Sequence, residues 1–379
     1  MSKLIISNIT IYVVAGPNAR YKTSSHYSDL TITNTIVRIQ TEDGYEGFGS
    51  TISWTEAGID KSLAESIRHL IPFLIGKSAL KREAIYKILV DRCVQLTPQA
   101  QSPIDIALWD LVAKFAKMPL YQFLGGARNK ILSYASTSFL PSIEDYITHV
   151  HELKEQGYRA IKFHTWCEPE QDLALARSIY KVFKDSGLKF MMDVEGAYTR
   201  HEALKVAKEL ELMDYIWFEA PLPDTDIEGY KELRSRVQIP ILPAGNTLLH
   251  LNQIEQGIRL GAWSSARVDA TLAGGVTQTR KIMALAEANS MTVELQSWGY
   301  TLSQAANLHL MLAYNNCLYF EQAIPVEALE FGAKTTIRTD KDGYVHAPSG
   351  NGLGIEMDWQ LIEKSATCIL AYNKKGWSE

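Results

Sequence analysis

From about residue 130 onward the chain repeats one unit: a short apolar run, then a segment whose apolar positions recur three and four apart. The runs are Ile131–Ala135, Ala160–Phe163, Phe190–Met192, Tyr215–Phe218, Ile239–Pro243, Ala266–Val268, Met291–Leu295 and Leu318–Phe320. Each predicts a strand. The segments between them predict amphipathic helices. Leu173, Ala176, Ile179 and Phe183 share one face, and Gly187 stands where a C-cap is expected. Leu204, Ala207 and Leu210 repeat the design, as do Ile282, Leu285 and Ala286. Eight β/α alternations over about 190 residues predict an α/β protein built on a (β/α) barrel rather than an open sheet.

The flanks follow other patterns. Ile5 to Val14 and Leu30 to Thr41 alternate apolar and polar, which predicts antiparallel strands, and Asp43-Gly44 predicts a hairpin turn. Pro103-Ile104-Asp105-Ile106-Ala107-Leu108-Trp109-Asp110-Leu111 opens a helix at a proline. Strands followed by helices predict a separate α+β domain. After residue 325 the alternation stops. Gly350-Asn351-Gly352-Leu353-Gly354 lies in a segment expected to pack back on the first domain. Its glycines are spaced two apart and do not match a dinucleotide fingerprint. The expected divisions are 1–127, 128–324 and 325–379.

Composition narrows the function. Of 379 residues, 46% are hydrophobic and 21% charged, the mix of a folded soluble protein. Thirty-eight Lys and Arg face 43 Asp and Glu, a net charge of −5 that offers no basic surface for nucleic acid. No apolar run approaches the roughly 18 residues of a membrane span. The N-terminal Met1-Ser2-Lys3-Leu4-Ile5-Ile6 reads as the start of a strand rather than a signal peptide. Cys93, Cys167, Cys317 and Cys368 lie too far apart for a disulfide framework or a zinc ribbon, so a cytoplasmic protein is expected.

Chemistry in a barrel sits at the C-terminal ends of its strands. The polar residues closing the runs are Lys162 and His164, Asp193 and Glu195, Glu219, Asn246, Asp269, Gln296 and Glu321. They recur about every 25 residues, one β/α unit apart, and so should converge on one mouth. Asp193, Glu219 and Asn246 offer three hard oxygen ligands on adjacent strands, a set that suits Mg²⁺. Such an ion would hold a substrate carboxylate and stabilise the dianion left by loss of the neighbouring proton. Lys162 and His164, two apart on a strand, point the same way and are candidate bases. One acidic residue at a strand end is ordinarily solvated or caps a helix; the series over seven consecutive strands is the signal. His309 falls in the apolar stretch Ala305–Ala313 and reads as a helix residue, and His149, His151, His201 and His250 as surface residues.

With these residues in view, the chain resembles the enolase superfamily, in its mandelate racemase and muconate lactonizing enzyme branch. The resemblance spans nearly the whole chain. It rests on Ser102 to Leu111 with Gly125-Gly126, on Trp217-Phe218-Glu219-Ala220-Pro221, on Asp269 with Gly274-Gly275-Val276-Thr277, and on Gly352-Leu353-Gly354-Ile355. It implies a (β/α)7β barrel capped by an α+β domain made from both termini. It also implies Mg²⁺-assisted abstraction of the proton α to a carboxylate, and a homo-oligomer. Asp193 and Glu219 match two metal ligands, and Lys162 the first residue of a Lys-x-Lys pair. Asp269 matches the aspartate of an Asp–His dyad, and Glu321 a glutamate that hydrogen-bonds the substrate carboxylate.

Three positions depart from the pattern. Asn246 stands for the usual third acidic ligand, His164 for the second lysine, and Gln296 for the dyad histidine. Glu195 would restore a charge near the metal, as a ligand or behind one. An amide takes no proton at neutral pH, so one base remains, on the Lys162–His164 side. That favours β-elimination of water from an acid sugar, with His164 as base and then acid, Lys162 polarising the carboxylate, and Glu321 and the metal stabilising the enediolate. The alternatives are a one-base cycloisomerase or epimerase of a sugar acid or its lactone, and a catalytically silent carboxylate-binding protein. Substrate selection is expected from Tyr21 to Tyr27, including Lys22 and His26, and from Ser53-Trp54, with Trp166 and Trp298 as pocket walls.

Overall fold

The computed structural model describes residues 3–26, 30–54 and 59–378. The chain opens with β1 (Ile6–Tyr21), β2 (Leu30–Thr41) and β3 (Glu46–Ser53), an antiparallel meander. β1 runs past the expected Val14 because its pairing with β2 resumes after a slip between Ala15 and Arg20. Helices α1 (Ile59–Leu70), α2 (Arg82–Arg92) and α3 (Ser102–Phe115) follow. Their apolar faces form one buried cluster with the sheet, including Ile9, Ile11, Val37, Ile39, Leu63, Ile67, Leu89, Ile104 and Leu108. Pro103 sits in the first turn of α3, where a missing N–H costs nothing. Gly47 and Gly49 let this helix lie directly on β3. A Cβ at either would stand 2.2 Å from a backbone oxygen, of Ala107 or of Pro103. The short α4 (Leu120–Phe123) leads into the barrel.

The barrel strands are β4 (Lys130–Ser136), β5 (Ala160–His164), β6 (Lys189–Asp193), β7 (Trp217–Glu219), β8 (Ile241–Leu242), β9 (Ser265–Val268), β10 (Thr292–Leu295) and β11 (Tyr319–Ala323). Each overlaps one of the predicted apolar runs. They pair in parallel as β11-β4-β5-β6-β7-β8 and as β9-β10. Between them lie α5 (Ile143–Glu155), α6 (Pro169–Phe183), α7 (Arg200–Leu212), α8 (Ile227–Arg236), α9 (Leu251–Leu260), α10 (Val276–Ala288) and α11 (Thr301–Ala313). α6 ends earlier than expected, capped at Lys184. Gly187, with φ of 78°, lies in the turn beyond it.

The C-terminal part adds β12 (Tyr344–His346), antiparallel to the start of β4, then α12 (Trp359–Ser365), β13 (Cys368–Asn373) and β14 (Gly376–Ser378). β13 pairs with β1 and completes the first sheet in the order β14-β13-β1-β2-β3. Two buried carboxylates of α3 tie these parts together. Asp110 accepts from Phe48 N at 2.8 Å and from Leu353 N at 2.7 Å. Asp105 accepts from Thr277 N at 2.8 Å and Thr277 Oγ1 at 2.6 Å, and so caps α10, whose own N-cap is the side-chain-less Gly275. Among the described residues no helix is long and apolar enough to cross a membrane.

Candidate active site

A cavity of about 350 Å³ opens at the C-terminal ends of the barrel strands. Its floor is charged: Lys162, His164, Asp193, Glu195, Glu219, Arg267 and Glu321 line it, with Asn246 and Gln296 on one side. Strand geometry explains the convergence. His164, Asp193 and Glu219 are in register across β5, β6 and β7. Side chains that end adjacent parallel strands point to a common rim.

Lys162 is 1% exposed, and its Nζ lies 3.1 Å from Asp193 Oδ2, 2.9 Å from Glu219 Oε1 and 2.8 Å from Glu321 Oε1. Burial works against its charge, but Glu219 and Glu321 more than offset this and raise its pKa well above the ordinary value. As the site stands, it is a buried cation held among three carboxylates. Arg267 is a second one, absent from the expected site. Its Nη2 reaches Glu321 Oε2 at 2.8 Å, and its Nε stands 2.7 Å from Glu219 Oε1 in ion contact, at an angle that makes no hydrogen bond. Glu321 also accepts from Ser136 Oγ at 3.0 Å. Burial pushes its carboxyl up, yet Arg267 and Lys162 outweigh this and hold it down at about 2. Burial pushes Glu219 up as well, against the pull of the same two cations.

His164 is placed differently. Its Nδ1 lies 2.6 Å from Thr137 O, and a carbonyl accepts only from an N–H, so Nδ1 carries a proton and Nε2 is the working nitrogen. Nε2 faces Asp193 Oδ2 at 3.4 Å and Glu195 Oε1 at 3.5 Å. Burial disfavours its charged form, but the two carboxylates outweigh that and raise its pKa. Asp193 Oδ1 in turn accepts from Glu195 N at 3.1 Å, and Glu195 adopts a φ of 55°, which turns the chain at the rim. Gln296 donates to Ala244 O at 2.8 Å and to Asn246 Oδ1 at 3.2 Å. It braces Asn246.

Several expected residues stand elsewhere. Asp269 is buried, but its Oδ1 accepts from Thr271 N, Thr271 Oγ1 and Asn307 Nδ2 at 2.7–2.8 Å, and it does not line the cavity. It braces the turn after β9. Lys22 lies over the Phe139 ring, 5.1 Å from its centroid, and His26 faces Glu168 at 3.4 Å on the half-exposed surface. Trp166 packs against Phe139 and Tyr146. None of these three lines the cavity. Tyr27 lies outside the described residues. Trp54 and Trp298 do line it, 5.4 Å apart, with Trp298 edge-on to His164 at 5.7 Å. Thr23, Ile52, Ser53, Gln99, Leu249 and Leu272 complete its upper walls. Arg267 was missed because it falls inside the run Ala266–Val268. Its signal was the alternation that puts position 267 on the inward face of β9.

Hard oxygen donors converge here, so the donor set fits a hard divalent cation. One atom each from His164, Asp193 and Glu195 lie within 4.8 Å of one another, the sole such grouping of histidine, cysteine and acidic side chains among the described residues.

Comparisons with known proteins agree with this architecture. Residues 8–125 match the N-terminal domain of the mandelate racemase / muconate lactonizing enzyme family, and residues 145–361 match the enolase C-terminal domain-like family. A structure from Pseudovibrio sp., described as a mandelate racemase/muconate lactonizing enzyme, superposes with a TM-score of 0.96 at 44% identity, covering 98% of this chain and 100% of that one. D-mannonate dehydratase of Caulobacter sp. (strain K31) is 27% identical over 376 residues, 86% of this chain and 89% of that protein. D-glucarate dehydratase from Agrobacterium tumefaciens, solved with magnesium, superposes with a TM-score of 0.82 at 26% identity, covering 97% and 100%. Matched over both domains and superposing along nearly its whole length, the chain is an enzyme that belongs to the mandelate racemase/muconate lactonizing enzyme family of the enolase superfamily.

Proposed function

We propose that this enzyme removes the proton α to the carboxylate of a small hydroxy acid, with His164 as its single base, and that the net reaction is dehydration of an acid sugar. The observation that carries the reading is the fixed tautomer of His164. Nδ1–H is held by Thr137 O, and Nε2 faces the cavity. A base with a raised pKa accepts a proton more strongly, and a value near the working pH serves general-base catalysis best. The far side of the cavity offers the amide of Gln296, which can bind but not titrate. One base favours a syn β-elimination. Nε2 takes the α-proton, the β C–O bond breaks, and the same imidazolium returns the proton to the departing hydroxyl. The resulting enol tautomerises to an α-keto acid, with no net oxidation. Lys162 and Arg267 place two fixed positive charges at the floor beneath the reacting carboxylate. A magnesium ion, held through Asp193, would lower the energy of the negative charge that develops on the carboxylate oxygens. The magnesium-bound glucarate dehydratase and the mannonate dehydratase support this reaction class.

The test is a screen of mono- and diacid sugars with Mg²⁺, read as α-keto acid formation and as exchange of the α-proton in D₂O. Exchange should proceed with retention and should fall by about 10²–10⁴-fold in His164→Asn, the usual weight of a general base. Racemisation, or exchange that survives in His164→Asn and vanishes in Lys162→Ala, would show that the base is wrongly assigned.

A further inference from the structure

We propose that Arg267 acts as a built-in cation that takes Glu219 out of the metal-ligand set, and that the divalent ion of this site is held by Asp193 and Glu195 instead. The proposal deepens the proton-abstraction reading and rests on it for the need of a cation at this mouth. Glu219 Oε1 touches two buried cations, Arg267 Nε at 2.7 Å and Lys162 Nζ at 2.9 Å, and Oε2 lies 3.3 Å from Trp217 Nε1. A magnesium ion binds oxygen at about 2.0–2.1 Å, so one on Glu219 would sit against both positive charges. Arg267 has no room to retreat. It is 2% exposed, its Nη2 is held by Glu321, and its Nη1 lies 3.4 Å from Tyr134 Oη.

Beside this pair, the chain supplies a carboxylate at Glu195, whose Oε1 groups with Asp193 and with the working nitrogen of His164 while Glu219 stays outside that group. Glu195 is the more accessible of the carboxylates there, with a side chain 20% exposed against 2% for Glu219. Four carboxyl side chains and two fixed cations, Lys162 and Arg267, line the cavity, so an added divalent ion meets an excess of acidic groups. Asn246 is neutral and adds no charge to the site.

The test is Mn²⁺ binding to the full-length protein without substrate, read by electron paramagnetic resonance, with Mg²⁺ affinity by calorimetry. Glu195→Gln should weaken binding at least about tenfold, the scale on which ligands and their supports act. Glu219→Gln should leave it within about threefold. Arg267→Met, which frees Glu219, should tighten it at least about tenfold, and Arg267→Lys, which keeps the charge, should not. If Glu219→Gln does not fold, the two Arg267 variants decide alone. Loss of Mn²⁺ in Glu219→Gln with Glu195→Gln unaffected, no tightening in Arg267→Met, or no binding by the wild type at millimolar Mn²⁺ would each overturn the proposal. α-Proton exchange is measured separately. Exchange together with an unexpected binding pattern refutes only this inference, and the expected binding pattern without exchange on any acid refutes only the catalytic reading.

Discussion

His309 offers a sharp test of how the parts of the chain are locked together. It is buried on α11, between α4 and the C-terminal glycine-rich turn. Its Nδ1 accepts from Tyr121 N at 3.0 Å, and its Nε2 lies 3.1 Å from Leu353 O, so the ring is neutral with the proton on Nε2. Burial pushes its pKa down to about 4. The unfolded chain takes up that proton near pH 6.5, before the folded chain does. Stability from this group is therefore complete above about pH 6.5 and is lost as pH falls toward 4. At about pH 5 the loss amounts to about 2 kcal/mol. His309→Phe keeps the ring and its stacking on Tyr121, 5.9 Å between centroids, but leaves Tyr121 N–H and Leu353 C=O unpaired. At about pH 7.5 that should cost about 2–4 kcal/mol. The variant has no proton to gain, so its deficit should shrink by about 2 kcal/mol at about pH 5. Urea unfolding followed by circular dichroism at both pH values measures the two gaps. Asp105, Asp172 and Asp269, raised by burial to about 6, titrate in both proteins and cancel in the difference. A deficit that stays constant or widens on acidification would refute the neutral-histidine lock.

Other outcomes follow from the same structure. Asp105 has the opposite sign: burial raises its carboxyl to about 6, so its contribution is present at low pH and lost as pH rises through 6. In the same urea series the gap between wild type and Asp105→Asn should narrow by about 2–3 kcal/mol from pH 4 to pH 7. Gly49→Ala should lower the melting temperature by the equivalent of about 1–3 kcal/mol, because its Cβ would meet Pro103 O at 2.2 Å and force α3 off the sheet. Trp54→Ala should raise KM about tenfold with a much smaller change in kcat, since Trp54 lines the cavity with an apolar ring packed on Trp298. Lys22→Ala and His26→Ala should leave both constants unchanged in the same steady-state assay, because neither side chain lines the cavity.

The barrel was legible in the linear pattern because its strands are buried on both faces and its helices on one. Each unit therefore writes its own local signature, and the eight runs and the eight barrel strands overlap one for one. The convergence of Lys162, His164, Asp193, Glu195, Glu219 and Glu321 was legible for the same reason. A regular repeat turns positions about one unit apart into neighbours on one rim. What the pattern could not carry was the pairing of side chains across that rim. Arg267, inside the run Ala266–Val268, and Asp269, just past its end, lie two apart, yet Asp269 turns away to brace Thr271 and Asn307, while Arg267 turns inward between Glu219 and Glu321. Lys22, His26 and Trp166 carry the residue types of a binding loop but spend them on Phe139, Glu168 and Tyr146. Hydrophobic periodicity records which face of an element is dry. Which charge meets which, and so which carboxylates remain for a metal or a substrate, depends on distances of a few ångströms between residues tens of positions apart, and those exist only once the barrel has closed.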